Sequence, residues 1–249
     1  MKVLICGIGG RMGKEVAALS SAGYRGAEAY CGFDIAACEN VWDIPVFSEW
    51  DKVEGKADVI VDFSNHAGTK ALLDYAVKAG VPTVVATTGH TEDEMAAIKA
   101  AAEKIPVFHS ANMSVGVALL CELAKATARA FPDADIEIIE KHHNRKLDAP
   151  SGTALLLANA IRTVREDSEL VFGRYGHAKR TVGEIGIHAV RMGNVVGEHE
   201  ILVSTDTQTI TLKHEAHSRT LFAEGALAAA EYLVGKPAGL YDMNSIIAD

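Results

Sequence analysis

From Glu140 to Thr153 the chain reads Glu-Lys-His-His-Asn-Arg-Lys-Leu-Asp-Ala-Pro-Ser-Gly-Thr. Two histidines, two lysines and an arginine crowd into this stretch, and Pro150 ends any extended run. His142 and His143 can exchange protons near neutral pH. Lys146 adds a mobile cation with three donors. Ser151, Gly152 and Thr153 open a helical pattern, where backbone N–H groups and two hydroxyls converge at a helix start suited to a carboxylate. Such a set fits an acid–base centre beside an anion site. A hydride delivered to an unsaturated acid or imine needs a proton on the neighbouring atom, and a nearby cation makes the reacting bond more electrophilic. A solvated cationic loop is the plain alternative. A metal site is not expected, because His142 and His143 have no third ligand at a suitable spacing. His199, His214 and His217 read as surface or sheet-edge histidines.

A second constellation stands at the start of the chain. Gly7-Ile8-Gly9-Gly10-Arg11-Met12-Gly13 follows an apolar run and opens a helical pattern. Glycines allow a sharp turn and a close backbone approach to a pyrophosphate, and a helix N-terminus offers open N–H donors. The preceding strand and following helix supply the context that the glycine pattern needs. Asp34 ends the second strand pattern, where a carboxylate can accept hydrogen bonds from ribose hydroxyls and repel a 2′-phosphate. Ile35 follows it rather than a basic residue, so NADH is favoured over NADPH. Ala86-Thr87-Thr88 and Ser110-Ala111-Asn112-Met113 each follow a strand pattern, as does Asp62-Phe63-Ser64. These positions lie at strand ends, where doubly wound sheets bind ligands.

The elements that must hold these residues alternate in the first half. Strands are predicted over Val3–Cys6, Ala27–Gly32, Asp58–Asp62, Thr83–Ala86 and Pro106–His109. Helices are predicted over Arg11–Ala22, His66–Ala79 and Glu92–Glu103. This order predicts βαβ units and a parallel sheet. Past Asn112 come a helix over Ser114–Ala130, a strand over Asp135–His142 and a helix over Gly152–Val164. Strands are then expected over Glu184–Ala189, Asn194–Ser204 and Gln208–His214, joined by turns at Met192–Val195 and Thr205–Gln208 that read as two consecutive hairpins. A helix over Ser218–Val234 follows. The expected fold is α/β: a Rossmann-like doubly wound parallel sheet domain, plus an α+β domain with a mixed or antiparallel sheet. The dinucleotide-binding domain is expected over 1–113 and 223–249, and the substrate-binding and oligomerisation domain over 114–222. The open face of the second sheet suggests a homo-oligomer.

Bulk composition narrows the classes. Hydrophobic residues make up 49% and charged residues 23%, too apolar for disorder. A net charge of −9 argues against nucleic acid as a partner but permits a local cationic pocket. No run approaches the roughly 18 apolar residues of a membrane span. Cys6, Cys31, Cys38 and Cys121 form no CxxC pair and read as unpaired thiols, so a cytoplasmic location is expected.

Several motifs together resemble one family, the 4-hydroxy-tetrahydrodipicolinate (dihydrodipicolinate) reductases of bacterial lysine and diaminopimelate synthesis. They are Gly7-x-x-Gly-Arg-Met-Gly13, Val61-Asp-Phe-Ser64, Thr87-Thr-Gly89, Ser110-Ala-Asn-Met-Ser-Val-Gly116 and Glu140-x-His-His-x-x-Lys-x-Asp-Ala-Pro-Ser-Gly-Thr-Ala154. The tail Ala216-His-Ser-Arg-x-x-Phe-Ala-x-Gly-Ala226 is similar too. The resemblance implies that His142 and Lys146 transfer protons, and that His143, Gly152 and Thr153 hold the carboxylates of a small dicarboxylate substrate. It also implies that Gly7 to Met12, Asp34, Ala86 to Thr88 and Ser110 to Met113 contact NADH or NADPH, and that the protein is a homotetramer. Ala86 and Met113 depart from the glycine and phenylalanine common in the family. A sugar dehydrogenase with a similar nucleotide half, or a dinucleotide-sensing regulator without turnover, remain as alternatives.

Overall fold

In the computed structural model, residues 1–36 and 43–248 are described. Cys38, expected as an unpaired thiol, lies outside them. The chain forms two units, Met1–Val115 with Thr220–Asp249, and Gly116–Arg219.

The first unit opens with β1 (Lys2–Cys6), α1 (Arg11–Ser21), β2 (Glu28–Phe33), β3 (Val46–Phe47) and β4 (Val59–Asp62). It continues through α2 (Thr69–Ala79), β5 (Thr83–Val85), α3 (Glu92–Ala102) and β6 (Pro106–His109). In chain order, α4 (Val115–Ala130), β7 (Asp135–His142), α5 (Gly152–Arg162), β8 (Glu169–Phe172), β9 (Glu184–Arg191), β10 (Gly197–Ser204) and β11 (Thr209–Ala216) follow. The chain then returns to the first unit as α6 (Thr220–Leu233), β12 (Gly239–Tyr241) and α7 (Met243–Ala248).

Seven strands form one sheet in the order β12-β6-β5-β4-β1-β2-β3, every pair parallel. Its central strands are continuous apolar runs because helices cover both faces. Leu4, Ile60, Val85 and Val107 meet Leu72, Leu73 and Ile98 of α2 and α3. Against the sheet packs α6, across β4, β5 and β6 and beside α1. Thr91 caps α3 in a reciprocal box with Glu94, which fixes where that helix starts.

The second unit holds a five-stranded mixed sheet in the order β11-β10-β7-β9-β8. Strand β7 sits between β9, to which it is parallel, and β10, to which it is antiparallel. One face is apolar, with Ile136, Ile138, Ile185, Ile187, Ile201 and Val203 against Leu120, Leu157 and Ile161 of α4 and α5. This arrangement corrects the expectation of two consecutive hairpins. Only β10 and β11 pair as a hairpin. The Met192–Val195 link arches past the end of β7 instead, with the Met192 N–H on the His142 carbonyl and the Asn144 N–H on the Gly193 carbonyl. A Gly-Asn turn signal is local, and nothing local tells a tight hairpin from an arch over an intervening strand. The short strands β3, β8 and β12 and the helix α7 carried no periodic signal and were not foreseen.

Candidate functional site

The glycine turn in the first unit is fixed by three observations. Gly7 adopts φ +78°, which disfavours any side chain, and its N–H bonds the Phe33 carbonyl at 2.8 Å. A Cβ on Gly13 would sit 2.1 Å from the Gly7 oxygen, so α1 can approach the turn only as glycine. Gly10 caps α1 without any side-chain hydrogen bond, so the helix start presents backbone donors rather than a filled cap. Asp34 lies beside them: one carboxylate oxygen accepts the Gly9 N–H and the other the Ala36 N–H, both at 3.0 Å. The residue expected at the ribose therefore also ties the glycine turn to the end of β2.

The neighbouring strand ends are organised by Asp62, which has no exposed surface. Its carboxylate accepts the Ser64 N–H at 3.0 Å, the Ser64 hydroxyl at 2.5 Å and the Thr87 hydroxyl at 2.8 Å. Thr87 is thus committed to the protein as a donor, whereas Thr88 is exposed. Phe63, Ser64, Asn65, His66, Ala86, Thr87 and Thr88 line a cavity of about 210 Å³. Ser110 and Asn112 close a compact loop after β6: the Ser110 hydroxyl bonds the Asn112 carbonyl, and Asn112 Oδ1 accepts the Ser114 N–H. Ala111 lies in the same loop, and Met113 is buried beneath it. Ile8 is buried, and Arg11 and Met12 begin α1. A glycine-rich turn whose one side chain, Ile8, is buried, an open helix start and a polar cavity at parallel strand ends fit a dinucleotide.

In the second unit the segment is built on the end of β7. Alternation puts Glu140 and His142 on the face that buries Ile136 and Ile138. Glu140 is 0% exposed and accepts four donors. Arg191 gives two of them, at 2.8 and 2.7 Å; His142 Nδ1 lies at 2.6 Å and the Ser151 N–H at 3.0 Å. Burial pushes the Glu140 carboxyl up, but the hydrogen bonds from His142, Arg191 and Ser151 outweigh it and hold it at about 2. Arg191 also donates to the Asp148 carbonyl, so this one pair ties down both ends of the Asp148–Ser151 link.

Lys146 is paired with Asp148 at 2.8 Å. His143 follows His142, and its Nδ1 is buried without a hydrogen-bond partner. Desolvation, then the cations Arg145 and Arg219, hold its imidazole below the usual value. Ser151 caps α5, its hydroxyl accepting the Ala154 N–H at 3.2 Å. Gly152 opens that helix, and a Cβ there would meet nothing within 4 Å. An orphaned ring nitrogen, a cation and an uncrowded helix start, with Thr153 next along it, suit a carboxylate.

His199 corrects the surface reading. It is buried, lies on the ring edge of His142 with centroids 5.2 Å apart, and bonds the Ser151 hydroxyl at 3.1 Å. Burial, then the neighbouring His142, lowers it to about 4, so it stays neutral. His214 is half-buried and directly opposite it on β11. Glu140, Arg191 and Asp148 were given no role from sequence. Arg191 is 51 residues from Glu140, and only the parallel β7–β9 register brings the two together.

A parallel sheet that opens on a glycine turn, joined in one chain to a mixed-sheet unit carrying His142, His143 and Lys146 around a buried carboxylate, has the make-up of a two-unit nicotinamide-dependent oxidoreductase. The chain belongs to the dihydrodipicolinate reductase family: the pattern for the N-terminal part matches residues 1–113 and that for the C-terminal part residues 116–247. It is 44% identical to the 4-hydroxy-tetrahydrodipicolinate reductase of Caldanaerobacter subterraneus subsp. tengcongensis, over 99% of this chain and 98% of that one. With the Clostridium tetani enzyme of the same name it shares 41% identity, over 99% and 97%. A dipicolinate-bound dihydrodipicolinate reductase from Paenisporosarcina sp. TG-14 superposes with a TM-score of 0.84 at 27% identity, covering 98% of both chains.

Proposed function

We propose that the protein reduces 4-hydroxy-tetrahydrodipicolinate to tetrahydrodipicolinate, with loss of water, in lysine and diaminopimelate biosynthesis. The observation that carries this reading is the set on β7 and its following loop: His142 backed by a buried carboxylate, with Lys146, His143 and the start of α5 close by in sequence and structure. A reduced nicotinamide supplies the hydride. Gly7, Ile8, Gly9, Gly10, Arg11 and Met12, with Ala86, Thr87 and Thr88 and the loop of Ser110, Ala111, Asn112 and Met113, hold the dinucleotide. His142 and Lys146 hold and move the proton that must accompany hydride addition. His143, Gly152 and Thr153 hold the substrate carboxylates.

Asp34, with Ile35 beside it, supports a preference for NADH, because no guanidinium at that position offsets the carboxylate's repulsion of a 2′-phosphate. The first unit serves as the dinucleotide domain and the second as the substrate and assembly domain. The sheet face away from α5 carries Ile139 and Leu202 among charged residues and could serve for assembly, and the family resemblance implies a homotetramer. Cys6, Cys31 and Cys121 are free and buried, which supports a reducing, cytoplasmic setting. The test is an assay with freshly generated substrate, following NADH absorbance. Oxidation of NADH that depends on both substrate and protein is expected, and no oxidation above background overturns the reading.

A further inference from the structure

We propose that Glu140 is a positioning residue that fixes the His142 proton on Nδ1, making Nε2 the atom that exchanges protons with substrate. The inference rests on the reading of His142 as the acid–base group. It begins with a count of donors. Oε1 of Glu140 receives Arg191 Nη2 and the Ser151 N–H, while Oε2 receives Arg191 Nη1 and His142 Nδ1. A guanidinium and a backbone amide can only donate, and with them and His142 the carboxyl is held at about 2, so near neutral pH it is ionised and can only accept. Of these partners, His142 alone can choose between donor and acceptor at the contacting atom, and only Nδ1–H satisfies the contact. The neutral ring therefore keeps its lone pair on Nε2, and the charged ring carries its transferable proton there.

Two further features agree. Gly197, on β10, leaves space beside that nitrogen, since a Cβ there would lie 3.2 Å from His142 Nε2. The ionisable groups around His142 come from four places: Glu140 on its own strand, Arg191 on β9, His199 on β10, and His143 and Lys146 on the following loop. Arg191 faces Glu140 rather than His142, and buried neutral His199 meets the ring by its edge. Burying an ion pair brings little net stability. Orientation of the ring gives the Glu140–Arg191 pair a purpose.

The experiment reads the tautomer directly, by long-range 15N–1H NMR of the substrate-free protein with labelled histidine, using His142→Asn to assign the signal. The wild type is expected to show neutral His142 protonated on Nδ1, and Nε2–H there overturns the proposal even if no variant folds. In Glu140→Gln the amide must turn its NH2 toward donors, and only His142 can answer by moving its proton to Nε2. That variant is expected to show the switched tautomer and a kcat lower by about 100-fold or more, with NADH affinity unchanged. Glu140→Asp, which keeps the charge, should keep Nδ1–H and recover part of kcat. A Gln variant with Nδ1–H and normal kcat overturns the proposal. Because the tautomer is read without substrate, a failure of the reductase assay leaves this measurement standing by itself.

Discussion

Lys146 shares its ammonium with Asp148, which holds it in place without burying it. Lys146→Ala should lower kcat by about 10² to 10⁴-fold while NADH binding by fluorescence titration stays nearly unchanged. Normal turnover would remove Lys146 from the chemistry. Asp34 holds the Gly9 and Ala36 N–H groups, and the proposed function gives it the ribose as a second partner. Asp34→Ala should therefore weaken both cofactors, NADH by about tenfold or more and NADPH by less, since the NADPH complex also loses a repulsion. Equal losses would break the ribose assignment. His199 makes stability depend on pH. Its folded value, about 4, lies below its ordinary 6.5, so between these the unfolded chain binds the extra proton and stability falls as pH falls. The loss is on the order of 3 kcal/mol across that window. Glu140 is also depressed, to about 2 from 4.5, so its contribution is present above about 4.5 and is lost below it. Urea titrations should show both windows in the wild type, and His199→Gln should shrink the upper one while leaving the lower one in place. At this scale the sequence displayed the parts but not the wiring. His142, His143 and Lys146 stand together in one motif, whereas Arg191 and His199 reach it only through strand register.

Elements were most legible where their signals were periodic and terminated. The strand–glycine–helix entry, the helix expected over Glu92–Glu103 and the buried runs of β4 and β5 all express local rules, and each formed close to where those rules place it. Strand order was not legible, because pairing β7 between β9 and β10 depends on apolar faces meeting across long separations. The turn and helix α1 act as one piece, which gives a paired test. Gly13→Ala drives a methyl into the Gly7 carbonyl and should cost about 3 kcal/mol as well as cofactor affinity. Thr91→Ala removes a cap remote from the turn and should cost only about 1 kcal/mol, with NADH binding intact. Calorimetry and cofactor titration of both variants separate the two effects.

The first unit is discontinuous, since α6 and β12 complete a sheet begun by the first strand. Ending the chain at Arg219 strips the helix that packs across β4, β5 and β6. That truncated chain should fail to bind NADH, and retention of wild-type affinity would show that α6 is dispensable. The change of character after Asn112 lies close to the junction of the two units at Val115, and the expected return of the chain near residue 223 lies close to Thr220. The same discontinuity sets an order of events during synthesis. Residues 116–219 emerge from the ribosome as one uninterrupted piece, while the sheet begun at Lys2 lacks its covering helix until Thr220–Leu233 has been made. At about 5 to 20 residues per second, the half-finished nucleotide unit waits for many seconds with apolar strands uncovered. The part of the chain that starts first is thus the part that finishes last.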